Sequence, residues 1–137
     1  MAKSRTVSGA EYEAGFADHP DHRLKVAKAI GRFTVRAAGT LIVETDRAFM
    51  LREADYPPVL YFAPEAVDET ALRPTDHTTW CPFKGRASYF SIGDDPTLAN
   101  AVWMYDDPFE EVGAIKGCFA FYPNSVDVAA QEGEGGD

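Results

Sequence analysis

Arg32-Phe33-Thr34-Val35-Arg36-Ala37-Ala38-Gly39-Thr40-Leu41-Ile42-Val43 reads as two short strands joined by a tight turn. Phe33, Val35 and Ala37 alternate with Arg32, Thr34 and Arg36, the period of two that puts apolar residues on one face of a strand. Ala38-Gly39 supplies the turn, with glycine where a positive φ is needed, and Leu41-Ile42-Val43 returns. The same pattern extends in both directions. Upstream, Leu24 and Val26 alternate with charged residues, which suits a half-buried strand, although residues 23–30 also fit a short helix. Downstream, Ala48 to Arg52 is a short apolar run, Tyr56-Pro57-Pro58 breaks the chain, and Val59-Leu60-Tyr61-Phe62 reads as a buried strand. Pro64-Glu65 can open a brief helical turn.

Farther on, Ala87 to Ile92 and Leu98 to Tyr105 predict a hairpin around Gly93-Asp94-Asp95-Pro96, and Cys118 to Tyr122 gives a last strand. Asp107-Pro108 with Glu110 and Glu111 predicts a short helix through Lys116, because Asp caps and early acids suit a helix N-terminus. Between Arg73 and Gly85 the residues Pro74, Asp76, Pro82 and Gly85 predict turns rather than long regular structure. The sum is roughly seven or eight short strands with one or two short helices, a mainly β, antiparallel fold.

At 137 residues the chain is large enough for one domain and too small for two. Residues 1–22 read as an irregular N-terminal arm, 23–130 as a single β domain, and 131–137, rich in Gly and Glu, as a disordered acidic tail. The formal net charge of −9 repels phosphate backbones and anionic bilayers, so neither nucleic acid nor membrane is expected as a partner. No apolar run approaches the roughly 20 residues of a membrane helix. The basic residues of Met1 to Val7 are not followed by the apolar segment of a secretory signal. Two cysteines, Cys81 and Cys118, are too few for a disulfide framework. A soluble, cytoplasmic protein is expected.

The densest chemistry lies in Pro74-Thr75-Asp76-His77-Thr78-Thr79-Trp80-Cys81-Pro82-Phe83-Lys84-Gly85. It offers a carboxylate, an imidazole, hydroxyls, a thiol and an ammonium within twelve positions. An ammonium three residues from a thiol can stabilise the thiolate if both point the same way. His77 can then serve as acid or base toward Cys81, with Asp76 or Thr79 orienting it. The structural alternative is a turn bond at Asp76, a small apolar filler at Cys81 and a solvated Lys84. Tyr61, Tyr89, Trp103, Tyr105 and Trp80 can wall a small-molecule pocket, or pack as ordinary strand aromatics. His19-Pro20-Asp21-His22 with Asp18 has metal-ligand residue types but reads as a surface turn, and no metal or other cofactor is expected. Glu110-Glu111 suit the start of a helix better than a catalytic acid pair. Lys116 and Asn100 can reach a cleft or serve as plain surface and strand-edge residues.

Four motifs in order resemble the domain-of-unknown-function family 427. They are Pro57-Pro58-Val59 with Tyr61; Pro74-Thr75-Asp76-His77 to Cys81-Pro82-Phe83-Lys84-Gly85 with Ala87-Ser88-Tyr89; Trp103-Met104-Tyr105 with Pro108; and Ile115-Lys116, Ala120-Phe121-Tyr122 and Val126-Asp127. The resemblance spans residues 32–127 and implies a small tent-like domain, two sheets leaning together over a cleft, an architecture similar to methionine sulfoxide reductase B and to the thalidomide-binding domain of cereblon. Leu60, Ala66, Cys118 and Pro123 depart from the family pattern. Relatives of that shape often hold zinc on two Cys-x-x-Cys pairs, and this sequence has none. The family is also labelled nucleotidyltransferase-like. The adjacent Asp106-Asp107 would face opposite sides of a strand, and no glycine-rich phosphate loop is present.

Two function classes follow. In the first, an unknown small polar or anionic metabolite binds in a cleft edged by Asp76, His77, Thr79 and Lys84 and walled by Tyr61, Tyr89, Trp103 and Tyr105. In the second, an enzyme uses Cys81 as nucleophile or redox thiol, His77 as acid or base, and Lys84 to stabilise a thiolate or oxyanion. A third is a protein-interaction module using an exposed sheet edge, the feature that would also permit a homodimer.

Overall fold

A computed structural model of the protein describes residues 24–131. The expected arm, the cluster from Asp18 to His22 and the tail beyond Gln131 lie outside the described residues. The described residues form ten strands in chain order: β1 Leu24–Ala29, β2 Arg32–Ala37, β3 Thr40–Thr45, β4 Ala48–Glu53, β5 Val59–Phe62, β6 Leu72–Cys81, β7 Gly85–Ile92, β8 Val102–Tyr105, β9 Phe119–Phe121 and β10 Asp127–Gln131. They build a seven-stranded sheet in the order β1-β4-β5-β9-β8-β7-β6 and a three-stranded sheet in the order β10-β2-β3. Every pairing is antiparallel. The fold is mainly β, and the two sheets do not close into a barrel. Among the described residues no helix is long and apolar enough to cross a membrane.

The path of the chain explains the order. β1 forms one edge of the large sheet, β2 and β3 leave to make the small one, and β4 returns to pair with β1. β5 follows β4 as a hairpin. Two 3-10 turns, Pro64–Ala66 and Glu69–Ala71, then carry the chain to β6 at the opposite edge. β7, β8 and β9 step back until Phe119 meets Phe62 of β5. The period of two divides the side chains between two clusters. Phe33, Val35 and Val43 of the small sheet pack with Phe62, Val102, Phe119 and Phe121 of the large one. The alternate residues Leu51, Tyr61, Tyr89, Tyr105 and Ala120 form the second cluster on the other face. Val112 and Ile115, from the 3-10 segment Glu110–Ile115, belong to it.

The β2–β3 hairpin is the one read from sequence. Ala37 pairs with Thr40, leaving Ala38 and Gly39 as a two-residue turn with φ of 50° and 84°. Positive φ at both positions matches the right-handed twist of the flanking strands. β1 is a strand, which settles the helix alternative.

Four expectations need correction. Residues 73–85 do not form an irregular loop: most of them are β6, paired with β7 and disturbed only between Pro74 and Thr78. Pro74 has no N–H to give, and such a residue is tolerated because β6 is an edge strand. Its side chains are mostly exposed, so the segment lacks the apolar alternation that marks a strand. Second, the expected strand from Leu98 starts at Val102, because Asp95 caps a 3-10 turn over Pro96–Leu98 by accepting from the Thr97 amide at 2.9 Å. Third, the helix expected to start at Asp107 begins after Phe109, without a side-chain cap, as 3-10 structure. Gln131, expected in the tail, closes β10.

Candidate functional site

The site is built by the face of the large sheet that turns away from the small one. β4 contributes Leu51 and Glu53, β5 contributes Val59 and Tyr61, β7 contributes Tyr89, and β8 contributes Trp103 and Tyr105. Each pair is two residues apart on its strand, so each points the same way. With Lys84 and Tyr122 these side chains line a cavity of about 250 Å³.

Its lining is largely aromatic, with the polar groups of Glu53 and Lys84 among it. Trp103 Nε1 donates to the Tyr61 hydroxyl at 3.1 Å, and the two rings meet edge to face with centroids 6.3 Å apart. Tyr122 lies against Trp103, centroids 4.5 Å apart, at the exposed rim. The hydroxyls of Thr79 and Tyr89 are 2.9 Å apart and share a hydrogen bond. Burial holds the phenols of Tyr61 and Tyr105 well above their ordinary range, opposed at Tyr61 by the Trp103 bond and reinforced at both by nearby Glu53, Cys81 and Tyr89. Burial also pushes Tyr122 up to about 12, helped by its hydrogen bond with Tyr89. These hydroxyls are therefore neutral near pH 7, able both to donate and to accept.

Lys84 is buried at 8% exposure, an uncommon place for a lysine. It ends the turn Cys81-Pro82-Phe83-Lys84, closed by its own amide donating to the Cys81 carbonyl at 3.2 Å. The Lys84 carbonyl accepts from the Phe109 amide at 3.1 Å, which fixes the turn against the 3-10 segment. Its ammonium donates to Glu53 Oε1 in a close ion pair, both side chains being mostly shielded.

The residues singled out in sequence divide accordingly. Tyr61, Tyr89, Trp103, Tyr105 and Lys84 line one cavity. Thr79 joins it through Tyr89, and His77 lays its ring on Tyr89 with centroids 4.5 Å apart. Cys81, half-buried, packs at the edge of the same cluster. Asp76 is exposed and does not line the cavity. Trp80 is 41% exposed and meets Phe109 edge to face. Asn100 accepts from Thr75 at 2.6 Å and its amide donates to Ser91 at 3.0 Å, so it fastens the disturbed part of β6. Glu110, Glu111 and Lys116 are exposed.

Sequence reading missed Glu53, Leu51, Val59 and Tyr122. Glu53 shares the strand face of Leu51, but its partner is 31 residues away and the sequence holds many acids that could have served. The thiol-enzyme alternative needs His77 in contact with Cys81, and both lie on β6. On a strand, four residues span roughly 10–13 Å, whereas proton transfer needs contact of about 3 Å. Cys81 and Cys118 are both free, and burial raises the Cys118 thiol, with Glu65 adding to it. Among the described residues no three His, Cys, Asp or Glu side chains converge as metal ligands.

Comparison with family models matches residues 25–132 to a domain of unknown function, DUF427, and the chain belongs to that family. The match contains the whole 32–127 stretch on which the resemblance was read. No curated protein matches the chain.

Proposed function

We propose that this domain binds a small polar molecule in the aromatic cavity, with the Lys84–Glu53 pair as its polar anchor. The observation that carries this reading is the pair itself, placed among five aromatic side chains in one concave site. Small-ligand sites combine apolar walls with a few convergent polar groups, and this cavity has that composition. Of the polar and anionic ligands expected, the polar one has more support, because Glu53 already neutralises the Lys84 charge. A flat, uncharged molecule carrying both donors and acceptors can lie against Trp103 and Tyr61 and exchange hydrogen bonds with neutral phenols and the exposed side of the ion pair. The thiol-enzyme reading has less support. His77 packs on Tyr89 and Lys84 is engaged by Glu53, and neither contact involves Cys81.

Trp103 provides the test. The sequence has two tryptophans, and Trp80→Phe leaves Trp103 as the reporter. Titration with neutral heterocyclic amides such as nicotinamide and uracil is expected to change Trp103 fluorescence saturably. Tyr61→Phe removes one hydroxyl and is expected to weaken binding about 3- to 10-fold, the value of one hydrogen bond. Lys84→Met with Glu53→Leu is expected to abolish it. Binding that survives both variants unchanged would place the ligand elsewhere, and the absence of any saturable change across the panel would sink the proposal.

A further inference from the structure

A second cavity, of about 420 Å³, lies on the other face of the large sheet, lined by residues of β1, β4, β2 and β10. Its apolar lining includes Phe33, Met50 and Ala130. Its charged lining among the described residues is Lys25, Lys28 and Arg52, with no carboxylate. That composition is unusual in a chain with 22 acidic and 13 basic residues. Three other cations of the described residues sit beside acids: Arg32 by Glu44 at 3.7 Å, Arg73 by Asp94 at 3.7 Å, and Lys84 by Glu53. The adjoining cavity, which shares Lys28, balances it and Arg47 with Asp46 and Glu65.

The register sharpens the point. Lys25 lies directly opposite Arg52 in the β1–β4 ladder, and antiparallel partners project from the same face. Like charges directly opposite destabilise a sheet, and an anion seated between them removes that cost. The cavity volume falls within the range of small-molecule sites.

We propose that this cavity binds a small amphipathic anion, a carboxylate or phosphate head on a short apolar body. The head takes Lys25 and Arg52, whose guanidinium can hold it through two parallel bonds, and the body covers Phe33 and Met50. The site is separate from the aromatic cavity and does not depend on that reading. The overall negative charge selects a free anion over a bilayer headgroup.

The probe is octanoate, titrated into the full chain and followed by backbone amide shifts. Saturable shifts are expected along β1, β4 and around Ala130. Uncharged 1-octanol and inorganic phosphate, each lacking half of the recognition, are expected to bind at least 10-fold more weakly. Lys25→Ser with Arg52→Ser should weaken octanoate 10-fold or more while the protein stays folded, since both side chains are exposed and their mutual repulsion is relieved. The charge-matched control, Arg36→Ser with Arg86→Ser, should leave binding unchanged. Equal loss in the two double variants would reduce the effect to net charge and overturn the proposal. So would octanol or phosphate binding as tightly as octanoate, shifts centred on Trp103 instead, or retention of the chain by phosphatidylglycerol vesicles.

Discussion

Glu53 and Lys84 show how one pair can stabilise and endanger a fold at once. Two charges leave water, and each offsets part of the other's cost of burial. Lys84→Met is expected to cost about 2–3 kcal/mol by removing the ammonium that the Glu53 carboxylate faces. Adding Glu53→Leu should recover part of that loss. Urea denaturation of the two variants and the parent measures both effects, and a single variant within about 0.5 kcal/mol of the parent would show the pair to be weakly coupled. At this scale the sequence was half legible. Tyr61, Tyr89, Trp103 and Tyr105 could be picked out because aromatics on strands must face something. Their common face was not legible, because it depends on the register of strands separated by dozens of residues. Tyr122 sits just past the end of β9, where alternation no longer predicts its direction.

The elements carry two different glycine requirements. Gly39 turns the β2–β3 hairpin with Ala38, which has to adopt a positive φ against its own preference. Ala38→Asn, the residue that two-residue turns of this kind favour, is expected to stabilise the protein by about 0.5–1 kcal/mol, read as a rise in Tm. Gly31 joins β1 to β2 at φ 128°, and a Cβ there would lie 2.7 Å from the Gln131 carbonyl oxygen of β10. Gly31→Ala should therefore cost about 2–3 kcal/mol and speed hydrogen exchange selectively in β10. Unchanged protection there would mean that β10 does not depend on the close approach. The hairpin was readable because its signal is local and repeats every second residue. β6 was misread because an edge strand exposed on both faces, with a proline in it, resembles a loop until its partner is known.

For the whole molecule, the buried phenols tie stability to alkaline pH. Tyr61 and Tyr105 are held above the value of about 10 they have in an unfolded chain. Below that value both states keep the proton and stability is full. Above it the unfolded chain releases protons that the folded protein retains, so stability falls as pH rises, by up to about 1.4 kcal/mol per phenol per pH unit. Urea midpoints between pH 9 and 11.5 should drop accordingly, and Tyr105→Phe should flatten the slope. A pH-independent midpoint over that window would contradict the burial of these hydroxyls. The mainly β, two-sheet class was legible because strand periodicity and turn residues recur along the chain. The pairing order of the large sheet was not, because β5 and β9 meet across more than fifty residues of intervening sequence.

β4 belongs to both faces. Its odd-numbered Leu51 and Glu53 look into the aromatic cavity, and its even-numbered Met50 and Arg52 look into the cationic one. One extra residue inside this strand would exchange the two rows, sending a carboxylate toward Lys25 and a guanidinium toward Lys84. Drift in composition can be absorbed one side chain at a time, but a change in length here cannot. Across descendants of this chain, insertions and deletions should gather at the Ala38-Gly39 turn and spare the six residues from Ala48 to Glu53.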